Sequence, residues 1–147
     1  MNLSFVFTLF ISLLMSWNQV QYSELVGTWQ LTYFDGIERI VKSPDYQKAS
    51  STQRANMDAK IKYRLESTVY QFEPGDKLKF TDFENQTVVQ KEAKIELKEG
   101  NILIIHEEDQ DRLAKIVELT PLKLVLVPIS ATSKSGKMVF ERIPEKK

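Results

Sequence analysis

His106 is the only histidine in the chain, and Glu107, Glu108, Asp109 and Asp111 follow it. Imidazole with carboxylates is a zinc-type donor set. Near-consecutive acids on a short loop, however, spread apart and do not converge on one ion. The run reads as a solvated hairpin tip, and no metal is expected. Haem ligation by His106 finds no support in the strands on either side. The chain has no cysteine, which removes thiolate ligands, Cys nucleophiles, disulfides and lipid attachment through Cys. No hydrolase nucleophile motif, phosphate-binding Gly loop or dinucleotide fingerprint is present. A triad would need His106 beside a distant Ser, with nothing local to support it. Catalysis is therefore not expected, and no cofactor is implied.

The remaining chemistry is apolar. Tyr33, Tyr70, Phe72, Phe80 and Phe140, with Leu124 and Leu126, fall on faces expected to point to one interior. They could line a cavity for a small ligand or fill a solid core, since large side chains can do either inside a small barrel. Charge is unevenly placed. Lys42, Lys48, Arg54, Lys60, Lys62 and Arg64 stand against only Asp45 and Asp58 in the segment from Lys42 to Arg64. The stretch from Asp82 to Glu118 is acidic. The basic segment could attract an anionic ligand or the surface of a membrane, or simply be a solvated helix face. Asn85-Gln86-Thr87 is a glycosylation sequon, meaningful only in a eukaryotic source.

The elements that must position these residues are mostly strands. Period-two alternation predicts eight: Val26–Phe34, Ser67–Phe72, Lys77–Phe83, Thr87–Leu97, Ile102–His106, Arg112–Leu119, Leu122–Val127 and Lys137–Ile143. Glu73-Pro74-Gly75-Asp76 and Glu99-Gly100-Asn101 are turns, Pro presetting φ and Gly supplying a positive one. Short hairpins with one dry and one wet face describe an eight-stranded antiparallel up-and-down barrel, which best removes its edges by closing. One segment departs from this pattern. Pro44 to Leu65 is rich in helix formers, with Ser43 as N-cap, Pro44 at the first helical position and Met57, Ile61 and Leu65 as a narrow apolar stripe. A single helix is expected there, inserted between the first two strands and lying on the barrel as a lid or a docking surface.

Leu3 to Trp17 is uncharged and almost wholly apolar, yet shorter than the roughly 20 residues that span a bilayer. It reads as the h-region of a signal peptide over residues 1–22, with cleavage between Ser16 and Ser23; an uncleaved anchor or interfacial helix is the alternative. Residues 23–147 then form one domain. With Lys plus Arg at 20 and Asp plus Glu at 20, the chain is formally neutral and lacks the dominant basic surface that nucleic acid requires. A soluble, exported monomer is expected, periplasmic or extracellular and not lipid-anchored.

Val26-Gly27-Thr28-Trp29 on the first strand and Phe140-Glu141-Arg142 on the last resemble the lipocalin and wider calycin pattern, in a bacterial lipocalin-like form. The resemblance implies that Trp29 closes one end of the barrel, that Arg142 packs across its indole, and that Gly27 lets the backbone pass closely. It further implies a small hydrophobic or amphipathic ligand inside the barrel. The competing function is an envelope interaction module with a filled barrel as scaffold. Two features depart from the family: many lipocalins place a helix after the barrel, whereas here it follows the first strand, and many bacterial relatives carry a lipid-anchoring Cys.

Overall fold

The alternating segments become strands close to where the alternation starts and stops. The computed structural model describes residues 19–129 and 136–145. Among them, eight antiparallel strands close into one barrel in sequence order. They are β1 (Gly27–Phe34), β2 (Val69–Glu73), β3 (Lys77–Glu84), β4 (Thr87–Lys98), β5 (Ile102–His106), β6 (Asp111–Leu119), β7 (Lys123–Ile129) and β8 (Met138–Ile143). β8 returns to pair with β1, so no edge is left open.

Most of the expected interior positions are buried. Trp29 and Leu31 of β1, Tyr70 and Phe72 of β2, Leu78 and Phe80 of β3, Leu124 and Leu126 of β7 and Phe140 of β8 join one core. Tyr70 holds the aromatics together, its ring centre 4.8 Å from that of Phe140, 5.5 Å from Phe80 and 6.5 Å from Phe72. Tyr33 is a correction. The pairing of β1 with β8 slips between Leu31 and Tyr33, and such a bulge shifts the alternation by one residue. Phe34 therefore enters the core while Tyr33 stays half-buried. Its hydroxyl is held above its ordinary value by partial desolvation and by Glu38 and Asp35. Leu122 also departs: it lies in the turn before β7 and is 72% exposed.

The insertion after β1 is helical, but it is not one helix. It comprises α2 (Gly36–Lys42), α3 (Pro44–Lys48) and α4 (Ser51–Ser67); a short α1 (Tyr22–Leu25) precedes β1. Ser43 caps α3 as expected, accepting from the Tyr46 amide, with Pro44 inside the first turn. The chain then breaks because Ala49 and Ser50 are extended, and Ser50 starts α4 through a capping box with Gln53. On α4, Met57, Ile61 and Leu65 are half-buried, and the helix has no fully buried residue. Its C-terminal end is pinned: Gln30 Nε2 donates to the Leu65 and Thr68 carbonyls, and Thr68 Oγ1 donates to Arg64 O at 2.7 Å.

One end of the barrel is closed by a compact set of contacts. Trp29 and Arg142 sit opposite each other across β1 and β8, so they share a face. The Arg142 guanidinium lies over the indole with Cζ 4.2 Å from its centre. It also donates to three carbonyls, Val26 at 2.6 Å, Glu24 at 2.8 Å and Pro121 at 2.7 Å. The indole N–H donates to Leu25 O at 2.8 Å. Gly27 has φ +135°, and a Cβ there would run into Arg142 Nη1, which accounts for glycine at that position. The expected leader lies, through residue 18, outside the described residues. Val20 and Tyr22, on the leader side of the expected boundary, pack against this closed end, Tyr22 donating its hydroxyl to Glu73 O at 2.6 Å. No helix among the described residues is long and apolar enough to cross a membrane.

Trp29→Ala should lower unfolding stability by about 3–5 kcal/mol, as for large aromatic truncations in a core, and Arg142→Ala by less. Gly27→Ala should cost about 1–3 kcal/mol through its backbone conformation and displace the guanidinium. Urea unfolding of the three variants checks the order; an unchanged midpoint for Trp29→Ala would refute the closed-end role.

Candidate functional site

The other end of the barrel, where β1 leaves for the helices, changes chemistry within one layer of side chains. Phe80 is paired across the strands with Lys91, and Ile105 with Arg112. Directly opposite residues point to the same face, so Lys91 and Arg112 rise from the inner wall just above the apolar core. Asp82, two residues past Phe80, shares that face. Glu107, from the β5–β6 hairpin, reaches in among them with its side chain only 4% exposed.

These four groups neutralise one another. Arg112 Nη2 donates to Glu107 Oε1 at 3.0 Å, and its Nε stands 2.8 Å from Oε2 but off the hydrogen-bond line. Arg112 Nη1 lies 3.8 Å from Asp82, and its Cζ sits 5.2 Å from the centre of the Phe80 ring. Lys91 Nζ is 3.7 Å from both Asp82 and Glu107 and in close contact with Glu84. The Glu84 contact, more than the other acids, raises the Lys91 ammonium above its ordinary value. β4 runs on past its pairing with β5, which ends at Lys94 and His106. The gap beside it forms a hollow of about 1010 Å³ walled largely by charged side chains, Lys91, Glu92, Lys94 and Glu107 among them. Such walls suit water better than an apolar guest.

A smaller pocket of about 220 Å³ opens at the centre of the mouth. Leu31, Phe34, Tyr70 and Met138 supply apolar surface; Arg39, Arg64 and Arg112 bring guanidinium groups to it, and Asp35 and Asp82 bring carboxylates. Tyr70 is 6% exposed, and burial raises its phenol above the ordinary value. The hydroxyl has no hydrogen-bond partner among the described residues. Beside the mouth, a groove of about 610 Å³ runs between α4 and the tip of β3. Ile40, Met57, Ile61, Tyr63 and Phe83 line it, and the pocket and the groove share Phe34, Arg64 and Phe83. Arg64 stands between the two with Cζ 4.5 Å from the Phe34 ring centre.

The residues singled out in the sequence are thus divided among three places. Trp29, Gly27 and Arg142 meet at the closed end. Phe72, Leu124, Leu126 and Phe140 form the buried interior, with Tyr70 and Phe80 just beneath the mouth. Met57 and Ile61 line the outer groove, while Leu65 packs against the core. Sequence reasoning missed Asp82, Lys91 and Arg112, although strand parity places all three on the inner face, and it assigned Glu107 to a solvated tip, whereas its side chain is 4% exposed and paired with Arg112 and Lys91.

His106 faces outward. Its Nδ1 lies 2.8 Å from Asp111 and its Nε2 3.1 Å from Glu96, so it bridges β4, β5 and β6. Glu107, Glu108 and Asp109 are not its partners, and no group of three or more metal-type side chains comes together among the described residues. Hydrogen bonding to Asp111 first, then Glu96, raises the imidazole above its ordinary 6.5. Glu96 is lowered from 4.5, chiefly by His106.

No protein-family model matches the chain, and no curated protein matches it. Among solved structures it is similar to bovine odorant-binding protein in complex with a selenium-containing odorant, at 14% identity and a TM-score of 0.46, over 87% of this chain and 76% of that one. The same bovine protein in complex with undecanal gives 14% identity and a TM-score of 0.46 over 87% and 77%. The form from nasal mucosa gives 14% and 0.46 over 88% and 77%.

The His106 bridge sets a pH window. A raised imidazole stabilises the fold fully below about 6.5 and ceases to do so as pH rises through its folded value; a lowered Glu96 stabilises above about 4.5 and ceases as pH falls through its own. The stability difference between the parent chain and His106→Gln should therefore be largest between about pH 4.5 and 6.5 and shrink on both sides. Chemical denaturation across pH 3 to 9 measures it, and a difference flat with pH would contradict the bridge.

Proposed function

We propose that this chain is an exported binding protein, not an enzyme, that takes one small hydrophobic or amphipathic ligand at the open end of its barrel. The observation that carries this reading is the mouth pocket, with apolar side chains from β1, β2 and β8 set among charged ones and the unpartnered Tyr70 hydroxyl beside it. A hydroxyl left open above an apolar floor is a fixed point for orienting a guest. The seat lies above Tyr70, because Phe72, Leu124 and Phe140 beneath it already pack against one another. Export follows from the apolar run Leu3–Trp17 and remains part of the proposal. A cleavage before Gln19 would leave the closed-end contacts of Val20 and Tyr22 intact.

The packed lower barrel favours one competing reading, a filled scaffold whose groove docks another envelope protein. The two readings part on whether a small uncharged probe enters the mouth. Decanol, titrated by calorimetry and followed by native mass spectrometry, should bind one to one at micromolar concentration. Met138→Trp, which places an indole in the mouth, should abolish that binding and leave the melting temperature within a few degrees. Absence of decanol binding by the parent chain would reject the binding proposal and favour the scaffold.

A further inference from the structure

Closing the cylinder leaves no edge strand, but within it one strand outruns its neighbour. β4 pairs with β3 from Thr87 to Lys94, whereas its pairing with β5 begins only at Lys94. The Ile95 amide donates to the Asp76 carbonyl, on the β3 side. Backbone direction alternates along an antiparallel strand, so Val89, Lys91 and Ala93 also bond toward β3. Val88, Gln90 and Glu92 therefore turn their N–H and C=O groups the other way, into the hollow between β4 and the β5–β6 hairpin. Those groups have no backbone partner among the described residues. A row of free donors and acceptors is a template for one more strand.

Charge tells what kind of strand the slot suits. On its inner side Lys91 and Glu107 meet at 3.7 Å, a charged contact that reaches from β4 to the hairpin above the apolar core. Glu92 on one wall and Glu108 and Asp109 on the other make no ion pair among the described residues. Lys77 and Lys94 lie opposite each other at the end where β5 begins to pair. We propose that the slot takes an extended basic segment of another protein, about seven residues long, added antiparallel to β4 as a ninth strand. Its backbone pairs with Val88, Gln90 and Glu92, and its outward side chains are Lys or Arg, set between Glu92 and the hairpin acids. Antiparallel addition continues the direction of β5. A peptide suits these walls where an apolar guest does not, because it brings the hydrogen-bonding groups that the free edge lacks. A second copy of this chain fits less well, since its own β4 is held between β3 and its hairpin.

The probe is a capped heptapeptide alternating lysine with threonine, followed by titration and by amide hydrogen exchange. The Val88, Gln90 and Glu92 amides should exchange fast in the free chain, and the peptide should slow each by about tenfold or more. The same peptide N-methylated at its lysines, or carrying glutamate in their place, should bind about tenfold more weakly. Gln90→Pro removes one donor from the free edge and spares the β3 ladder; Glu108→Lys/Asp109→Lys reverses the charge of the exposed hairpin wall. Each should weaken the lysine peptide about tenfold with the melting temperature within a few degrees of the parent's, and the lysine double variant should gain affinity for the glutamate peptide. No binding at millimolar peptide, or protection of the three amides in the free chain, would overturn the proposal. Binding that leaves those amides fast, or equal affinity for the N-methylated peptide, would reduce it to charge attraction and overturn the added strand. Dimerisation of the parent chain that protects the same amides would assign the edge to a second copy and overturn the peptide.

Discussion

The guanidinium of Arg142 is the fastening on which the barrel depends. It stacks on Trp29 and donates to carbonyls of Glu24, Val26 and Pro121, and thereby joins the segment before β1, the last strand and the β6–β7 turn in one contact. An indole face beneath a guanidinium contributes roughly 0.5–2 kcal/mol, but its structural effect is larger than that figure. Removing the side chain would leave three carbonyls short of a donor and uncover the largest buried residue at the closed end. Gly27 is subordinate to the same contact: its backbone conformation, and the missing Cβ, clear the space that the guanidinium occupies.

Above that fastening, the barrel grades from oil to charge along its axis. Fully buried Trp29, Phe72 and Phe140 lie low, Tyr70 and Phe80 come next, and Lys91, Asp82, Glu107 and Arg112 form the upper layer. The charged layer is sustainable because each of its members finds an opposite charge close by and Asp82, Lys91 and Arg112 stay partly exposed. The mouth is therefore neither a dry calyx nor an open funnel. It is a polar rim around a small apolar floor, with an apolar groove outside it.

Much of this was legible beforehand, for a definite reason. In a closed barrel every strand has one dry face, so alternation such as Leu78-Lys79-Phe80 or Ala93-Lys94-Ile95 marks both the strand and its inner side. What escaped were breaks in that rule. The β1 bulge moves Phe34 inward in place of Tyr33 and leaves no residue signature. The extended Ala49–Ser50 break sits inside a run of good helix formers, where Ser50-x-x-Gln53 was the available cue. The mouth charges escaped because a charged residue is ordinarily assigned to water. Counting by twos from Ala93 to Lys91, from Ala114 to Arg112 and from Phe80 to Asp82 would have placed them inside. The tip of the β3–β4 hairpin carried no glycine, yet Asn85 and Gln86 both adopt positive φ there, the conformation that two-residue hairpin loops require.

The union of β1 with β8 also governs the order of events in folding. Arg142 donates to Val26 across 116 residues of chain, and one whole edge of β1 has no native partner until the final strand has been made. Local hairpins from β2 through β7 can form as the chain lengthens, because each pairs with its neighbour in sequence. Closure of the cylinder must wait for the last residues, and long-range pairing of this kind is the slow part of assembly. During that interval β1 is an exposed template for other strands. A chain that crosses a membrane before completing its fold would still have this step ahead of it on the far side.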